Sequence, residues 1–225
     1  FRGASLLLKK ILMRTLPLIA ALLLAFGVAA QKYEPQVGQA GKDVIWVPTP
    51  DEVVDRMLTM AQTGPNDIHF DLGAGDGKIA IMAAKKFGAR ATGIEYNPDM
   101  VKYGNERAQQ AGVAGVGPGK AVIRQADIFA TDFSQATVIT MFLLPSINMK
   151  LRPAILNLKP GTRIATNTFT MEDWEPDQSE TIAGECTSWC TAHFWMVPAK
   201  VEGTWTLASG APLTTPHGVP PSSPP

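Results

Sequence analysis

The chain is short of cysteine, histidine and charge, and each shortage narrows the functions that it can serve. It contains two cysteines and three histidines in 225 residues. The histidines, His69, His193 and His217, are scattered, and none lies near Cys186 or Cys190 at the spacing of metal ligands. The sequence therefore predicts no metal site. The two cysteines stand four residues apart, so in an oxidising compartment they can staple a hairpin tip, and the alternative is two unrelated thiols.

Charged residues make up 18% of the chain, and they form no basic block. The formal net charge is zero, but residues 1–30 hold four basic residues and no acidic one. The remainder holds 16 basic and 20 acidic residues. A mildly acidic body is a poor electrostatic match to nucleic acid, so we expect no nucleic acid as the main partner.

The longest apolar run, residues 16–30, follows Arg14 and ends in small residues. It is about 15 residues long, whereas a membrane-spanning helix needs about 20. A basic start, a short apolar centre and small residues at the end predict a secretory signal peptide over residues 1–30, with Met13 as a candidate start. The chain is then exported, to the periplasm or the medium. The alternative is an uncleaved membrane anchor, which would keep the protein near a membrane.

The rest of the chain is long enough for one domain. We expect an entry segment at 31–46, a domain at 47–207 and a disordered tail rich in Pro, Ser, Thr and Gly at 208–225. Thr49 and Glu52 are spaced as a capping box for a first helix, with Pro50 as its first residue.

Strands and helices alternate through the domain. The pattern predicts strands at 68–72, 91–95, 121–125, 137–142 and 162–168, and helices at 79–87, 97–111 and 147–158. Two further strand-like runs, 180–185 and 192–197, lie close enough to pair antiparallel at the edge. The predicted fold class is α/β, a single Rossmann-like, doubly wound domain with a mostly parallel seven-stranded sheet and an antiparallel edge hairpin.

A glycine turn, residues 73–77, joins the first strand to a helix, which is how an open α/β sheet binds a nucleotide. The dinucleotide fingerprint requires Gly or Ala where Lys78 stands. Asp71, directly before the turn, would also repel a pyrophosphate. S-adenosylmethionine (SAM) carries an ammonium and a sulfonium and no phosphate, so the sequence favours SAM.

Three acidic residues, Asp71, Glu95 and Asp127, stand at the ends of successive predicted strands. Because such ends line the ligand crevice of a doubly wound sheet, we expect the three to converge there. Glu95 lies 20 residues after Gly75, the distance at which an acid meets a ribose diol. Asp127 is placed to accept from an adenine amino group. The alternative for any one of these residues is a helix cap.

Residues 71–77, 93–95 and 126–127 resemble motifs I, post-I and III of the class I, seven-stranded SAM-dependent methyltransferases. Residues 47–50, 140–145 and 158–164 resemble one branch of that superfamily, the protein-lysine methyltransferases that include the ATP synthase c-subunit and archaeal broad-specificity enzymes. The resemblance runs from about residue 43 to residue 205.

The resemblance implies a set of SAM-binding residues: Pro48, Thr49, Pro50, Asp71, Gly73, Ala74, Gly75, Glu95, Tyr96 and Asp127. It also implies that Phe142, Leu143, Leu144 and Pro145 line the methyl-transfer channel. Many amine and amide methyltransferases carry Asn/Asp-Pro-Pro-Tyr at that place, whereas Leu143 and Leu144 offer only backbone carbonyls. The segment 166–169 also lacks a histidine of close relatives.

The function that these residues and the resemblance imply is a SAM-dependent N-methyltransferase that acts on lysine side chains of proteins. One alternative is a small-molecule methyltransferase, which would have a closed pocket. The other is an exported binding protein that keeps the fold and transfers nothing, because SAM is made in the cytosol and a signal peptide would carry this chain away from it.

Overall fold

The computed structural model of the chain describes residues 33–184 and 186–201. The predicted signal peptide, its candidate start Met13 and the predicted tail at 208–225 lie outside the described residues. Within them, no helix combines the length and the hydropathy needed to cross a membrane.

Helices and strands follow one another through the described part of the chain. Their order is α1 (Asp51–Met60), β1 (Ile68–Leu72), α2 (Lys78–Phe87), β2 (Arg90–Glu95), α3 (Pro98–Gln110), β3 (Ala121–Gln125), β4 (Val138–Met141), α4 (Pro145–Leu156), β5 (Arg163–Asn167), β6 (Gln178–Thr181) and β7 (Thr191–Met196).

The strands form one seven-stranded sheet in the order β3-β2-β1-β4-β5-β7-β6. The first five are mutually parallel, and β7 runs antiparallel to both β5 and β6. The predicted fold class is confirmed. Because the strand order reverses between β1 and β4, a crevice opens beyond their carboxyl ends.

The sheet is covered on both faces, which explains why its central strands are buried and mostly apolar. One buried cluster holds residues of α1, α2 and α3, and a second holds residues of α4 together with Trp195 of β7. Along β1, Phe70 and Leu72 belong to the second cluster, while His69 and Asp71 alternate with them as buried polar groups. These two polar side chains are therefore held inside the protein near the crevice.

The first helix departs from its predicted start. The predicted capping box is wrong, because Pro50 is the N-cap residue and no side chain caps the helix. Thr49 thus stands one position too early, and its carbonyl accepts from Lys78 Nζ at 2.9 Å. The predicted apolar face is confirmed: Val53, Val54, Met57, Leu58 and Ala61 are fully buried.

Helix α4 begins at Pro145, two residues before its predicted start at Ile147, and it continues through Pro153. A proline fits the first helical position because that position needs no N–H donor. An internal proline removes one backbone hydrogen bond, and here the helix continues beyond it.

Cys186 and Cys190 form a disulfide in the connection between β6 and β7. Of the two alternatives that the sequence left open, the structure therefore has the stapled hairpin tip.

Candidate functional site

A cleft opens beyond the carboxyl ends of β1, β2 and β4. Its walls are the glycine turn after β1, residues 95–97 after β2, residues 126–128 after β3, residues 142–143 after β4, and the segment 39–49 that precedes α1. This is the place where open α/β sheets bind their ligands.

The glycine turn supplies space that no other residue would leave. Gly73 and Gly75 have φ angles of +80° and +53°, which favour glycine. A Cβ on Gly75 would lie 2.6 Å from Trp46 Nε1, and a Cβ on Gly73 would lie 2.8 Å from a methyl carbon of Leu143. The missing side chains therefore let Trp46 and Leu143, which also line the cleft, pack directly against the turn.

Glu95 is fixed at the cleft by two backbone amides. Its Oε2 accepts from the Gly75 N–H at 2.9 Å, and its Oε1 accepts from the Asn97 N–H at 2.8 Å. Each carboxylate oxygen retains a second lone pair for a further donor. This geometry suits the predicted pair of hydrogen bonds to a ribose diol.

Asp127 also lines the cleft, and its carboxylate already has partners. Oδ2 accepts from Lys42 Nζ at 2.6 Å, and Oδ1 accepts from the Phe129 N–H at 2.9 Å. The hydrogen bond from Lys42 is the main cause that lowers the pKa of Asp127. An adenine amino group must share or replace the ammonium of Lys42, which also lies 4.8 Å from the centre of the Tyr96 ring.

Asp71 is buried next to the cleft and is not part of its lining. Its Oδ1 accepts from Thr140 Oγ1 at 2.8 Å, and Thr140 Oγ1 lies 2.9 Å from His69 Nε2. Because the threonine hydroxyl gives its one proton to Asp71, His69 Nε2 is the donor in the second bond. Asp71 Oδ2 has no partner among the described residues.

Burial is the main cause of the pKa shifts of the two titratable groups in this hydrogen-bonded chain, Asp71 and His69. It raises the pKa of Asp71 to about 7 and lowers the pKa of His69 to about 3. The imidazole is thus neutral in the physiological range, and the carboxyl stands at the balance between its two forms. A buried carboxylate with an unpartnered oxygen is stabilised by a cationic ligand nearby.

The predicted site residues divide into two groups. Those that line the cleft are Pro48, Thr49, Gly73, Ala74, Gly75, Glu95, Tyr96, Asp127, Phe142 and Leu143. Pro50, Asp71, Leu144 and Pro145 are not part of the lining. Leu144 and Pro145 are exposed, because the chain turns into α4 directly after Leu143. The channel role of these two residues stays a prediction.

Residues 39–46, which the sequence assigned only to an entry segment, wall the cleft. They form a small hairpin, with Ala40 bridged to Ile45 and the Trp46 N–H donating to the Gln39 carbonyl. The signal in the sequence is the glycine at position 41, and the structure shows why it is needed. A Cβ on Gly41 would lie 2.3 Å from the Val44 carbonyl oxygen. A glycine at a position where any side chain would clash with the backbone indicates a tight turn.

The residues present fit SAM. The glycine turn lines the cleft, Glu95 offers two oriented acceptors, and Asp71 has an unpartnered oxygen suited to a cationic ligand.

Comparison with known proteins decides the family. Residues 71–178 match the family described as the ANTKMT methyltransferase domain. A protein-lysine N-methyltransferase of Saccharolobus islandicus is 42% identical over 137 residues, which are 60% of this chain and 83% of that protein. The chain belongs to this methyltransferase family.

Two further relatives extend the comparison. The lysine N-methyltransferase of the ATP synthase c-subunit from Mus musculus is 31% identical over 160 residues, and the match spans 71% of this chain and 62% of that protein. A crystal structure described as an RNA methyltransferase from Salinibacter ruber, with bound S-adenosyl-L-homocysteine, is 43% identical. It superposes with a TM-score of 0.63 over 70% of this chain and 98% of that one. The cofactor of the methyltransferase family to which this chain belongs is SAM.

Proposed function

We propose that this methyltransferase transfers the methyl group of SAM to lysine side chains of proteins. Two relatives carry that activity in their names, an archaeal protein-lysine methyltransferase and a mouse methyltransferase for the ATP synthase c-subunit. The observation that carries the proposal is the wall of the cleft after β4, where Phe142, Leu143 and Ile147 are all apolar.

An apolar wall suits an amine acceptor that must lose a proton before it reacts. SAM supplies an electrophilic methyl group that is displaced in line, so the protein mainly aligns the acceptor and excludes water. A lysine of pKa about 10.4 is neutral about once in 2,500 molecules at pH 7, which costs about 4.6 kcal/mol. Burial against Phe142 and Leu143 lowers the pKa of an amine and reduces that cost.

Among the alternatives, RNA has one relative in its favour, the Salinibacter ruber protein, whose description names RNA. The charge of the chain speaks against RNA, since the part after residue 30 holds 16 basic and 20 acidic residues. The open cleft argues against a small-molecule acceptor, for which a closed pocket is expected. The presence of the predicted SAM-binding residues argues against a binding protein that transfers nothing.

The test is incubation of the protein with radiolabelled SAM and cell extracts, split afterwards into protein, RNA and small-molecule fractions. We expect label in protein, resistant to ribonuclease and recovered as methyllysine after acid hydrolysis. The matched control is Glu95→Ala, which should label far less. Label confined to RNA or to small molecules refutes the proposed acceptor, and no label anywhere refutes the transfer itself.

We further propose that the protein is exported. Residues 1–30 have the composition of a signal peptide, and a disulfide such as Cys186–Cys190 persists in oxidising compartments. Cell fractionation with N-terminal sequencing tests this proposal. We expect an exported protein that begins at Gln31, while retention of residues 1–30 in the membrane fraction would support the anchor, and a cytosolic protein would refute export.

A further inference from the structure

Three aromatic rings make contact beside the cleft. Phe142 lines the cleft and stacks on Phe169, with ring centres 5.9 Å apart and planes inclined by 19°. Trp189 lies 5.3 Å from Phe169 and 6.1 Å from Phe142, and it is tilted against both. Each ring thus contacts the other two, and we call Phe142, Phe169 and Trp189 the aromatic trio.

The trio is assembled from three separate parts of the chain. Phe142 follows β4, Phe169 lies just after β5, and Trp189 lies in the connection between β6 and β7. The turn that carries Phe169 is held by its backbone carbonyl, which accepts from Thr166 Oγ1 at 2.6 Å. Trp189 is held within the five-residue loop that the disulfide Cys186–Cys190 closes.

The trio reaches from the cofactor cleft to the surface. Phe142 and Phe169 are half-buried, whereas Trp189 is 43% exposed. Scattered exposed apolar residues are ordinary on protein surfaces. An exposed tryptophan that continues an aromatic contact out of a ligand cleft is a different case, because such side chains are typical anchors for a binding partner.

We propose that the aromatic trio is the subsite that receives the substrate's lysine side chain. The inference rests on the proposed function and names where the acceptor enters. Aromatic faces attract ammonium groups and bind methylated ammonium groups well, because methylation weakens hydration and keeps the charge. Trp189 and Phe169 would contact the lysine on its way to Phe142, which borders the cleft, and they would also contact the methylated product.

The disulfide gives this subsite its fixed shape. Trp189 has a φ of +60°, a conformation that a tryptophan rarely adopts without constraint. Closing the loop between Cys186 and Cys190 limits the positions that the ring can take. We expect reduction of the disulfide to weaken acceptor binding and to leave SAM binding unchanged.

A binding experiment tests the trio without any methyl transfer. The full chain, without SAM, is titrated with the amide of Nε-trimethyllysine and with its neutral tert-butyl isostere, which has the same shape. The indole N–H resonance of Trp189 is observed by NMR and assigned from its loss in Trp189→Phe. We expect the resonance to shift with the cationic probe and to stay with the neutral one. No shift, or equal shifts with both probes, overturns the proposal.

A kinetic experiment separates a binding role from a structural one. With poly-L-lysine as acceptor, Trp189→Ala should raise the acceptor KM about threefold to thirtyfold and leave the KM for SAM unchanged. Trp189→Phe should recover most of the loss. The matched control is Met196→Ala, which removes a similarly exposed apolar side chain at the end of β7 and should change neither constant.

The two experiments fail in distinguishable ways. If the wild type methylates lysine and Trp189→Ala keeps the acceptor KM, the subsite is wrong while the proposed function stands. If the wild type methylates no lysine, the proposed function is wrong, and the NMR titration still decides whether the trio binds a methylated ammonium.

Discussion

The buried carboxyl of Asp71 makes the stability of the protein depend on pH in a way that one substitution can remove. Its side chain accepts one hydrogen bond from Thr140, and its second oxygen has no partner among the described residues. Asp71→Asn keeps an oxygen that can accept from Thr140 and removes the ionisable group.

The magnitude follows from the shift in pKa. Burial raises the pKa of Asp71 from 3.8 to about 7. The unfolded chain therefore loses this proton near pH 4, and the folded protein keeps it until near pH 7. Between those values each pH unit lowers the free energy of unfolding by up to about 1.4 kcal/mol, which amounts to about 4 kcal/mol in total above pH 7. Below pH 4 the carboxyl is protonated in both states, so it no longer lowers the free energy of unfolding.

The assay compares urea unfolding of the wild type and Asp71→Asn at pH 5, 6, 7 and 8, followed by circular dichroism. The free energy of unfolding of the variant, minus that of the wild type, should rise by about 2–3 kcal/mol from pH 5 to pH 8. A poorly bonded amide adds a penalty that does not vary with pH. His69 contributes equally to both proteins, so neither effect alters the trend.

The matched control is Glu175→Gln, which removes an exposed carboxylate. Its difference from the wild type should stay constant within about 0.5 kcal/mol across the same range, as expected for a surface charge. A constant difference for Asp71→Asn as well would refute the argument that a buried carboxyl titrates near neutrality.

Three further predictions concern the cofactor cleft and can be measured by calorimetry with SAM. Glu95→Ala removes both oriented acceptors and should weaken SAM binding about ten- to a hundredfold, equivalent to about 1.4–2.8 kcal/mol; an unchanged dissociation constant would reject the ribose assignment. Gly75→Ala should weaken SAM binding, because its φ is positive and the new Cβ, 2.6 Å from Trp46 Nε1, would displace the Trp46 ring that walls the cleft; wild-type affinity in this variant would contradict this role of the turn. Lys42→Ala frees the Asp127 carboxylate for the adenine amino group and should tighten binding about threefold, the scale of an exposed ion pair; weaker binding would mean that Lys42 itself contacts the ligand.

Local chemistry made much of the fold predictable. The strand at 68–72, the glycine turn and the cap at Asn97 each depend on neighbouring residues, and the structure has the predicted strand, turn and helix. The Asn97 side chain accepts from the Asp99 and Met100 N–H groups, as expected of an N-cap. The ends of elements were less predictable, because a one-residue shift at Pro50 leaves the local sequence equally acceptable.

The parts of the site that escaped prediction depend on contacts between distant residues. Lys42 and Asp127 are 85 positions apart, and the residues next to either one do not indicate that their side chains form an ion pair. The aromatic trio likewise joins residues from three connections. The lack of a partner for Asp71 Oδ2 could not be predicted either, because it depends on how the neighbouring strands pack around that oxygen.

The reversed direction of β7 places the loop before it at the end of the sheet where the predicted SAM-binding residues lie, so this loop can be replaced without altering them. Because β7 opposes β5, Ala192 pairs with Asn167, and the loop that enters β7 emerges where the parallel strands finish. Residues 182–184 and 186–190 therefore lie at the edge of the sheet where the parallel strands end, outside the part that forms the glycine turn and the Glu95 site. If the proposed acceptor subsite is correct, a graft of this loop from a relative should change the acceptor preference and leave SAM binding unchanged.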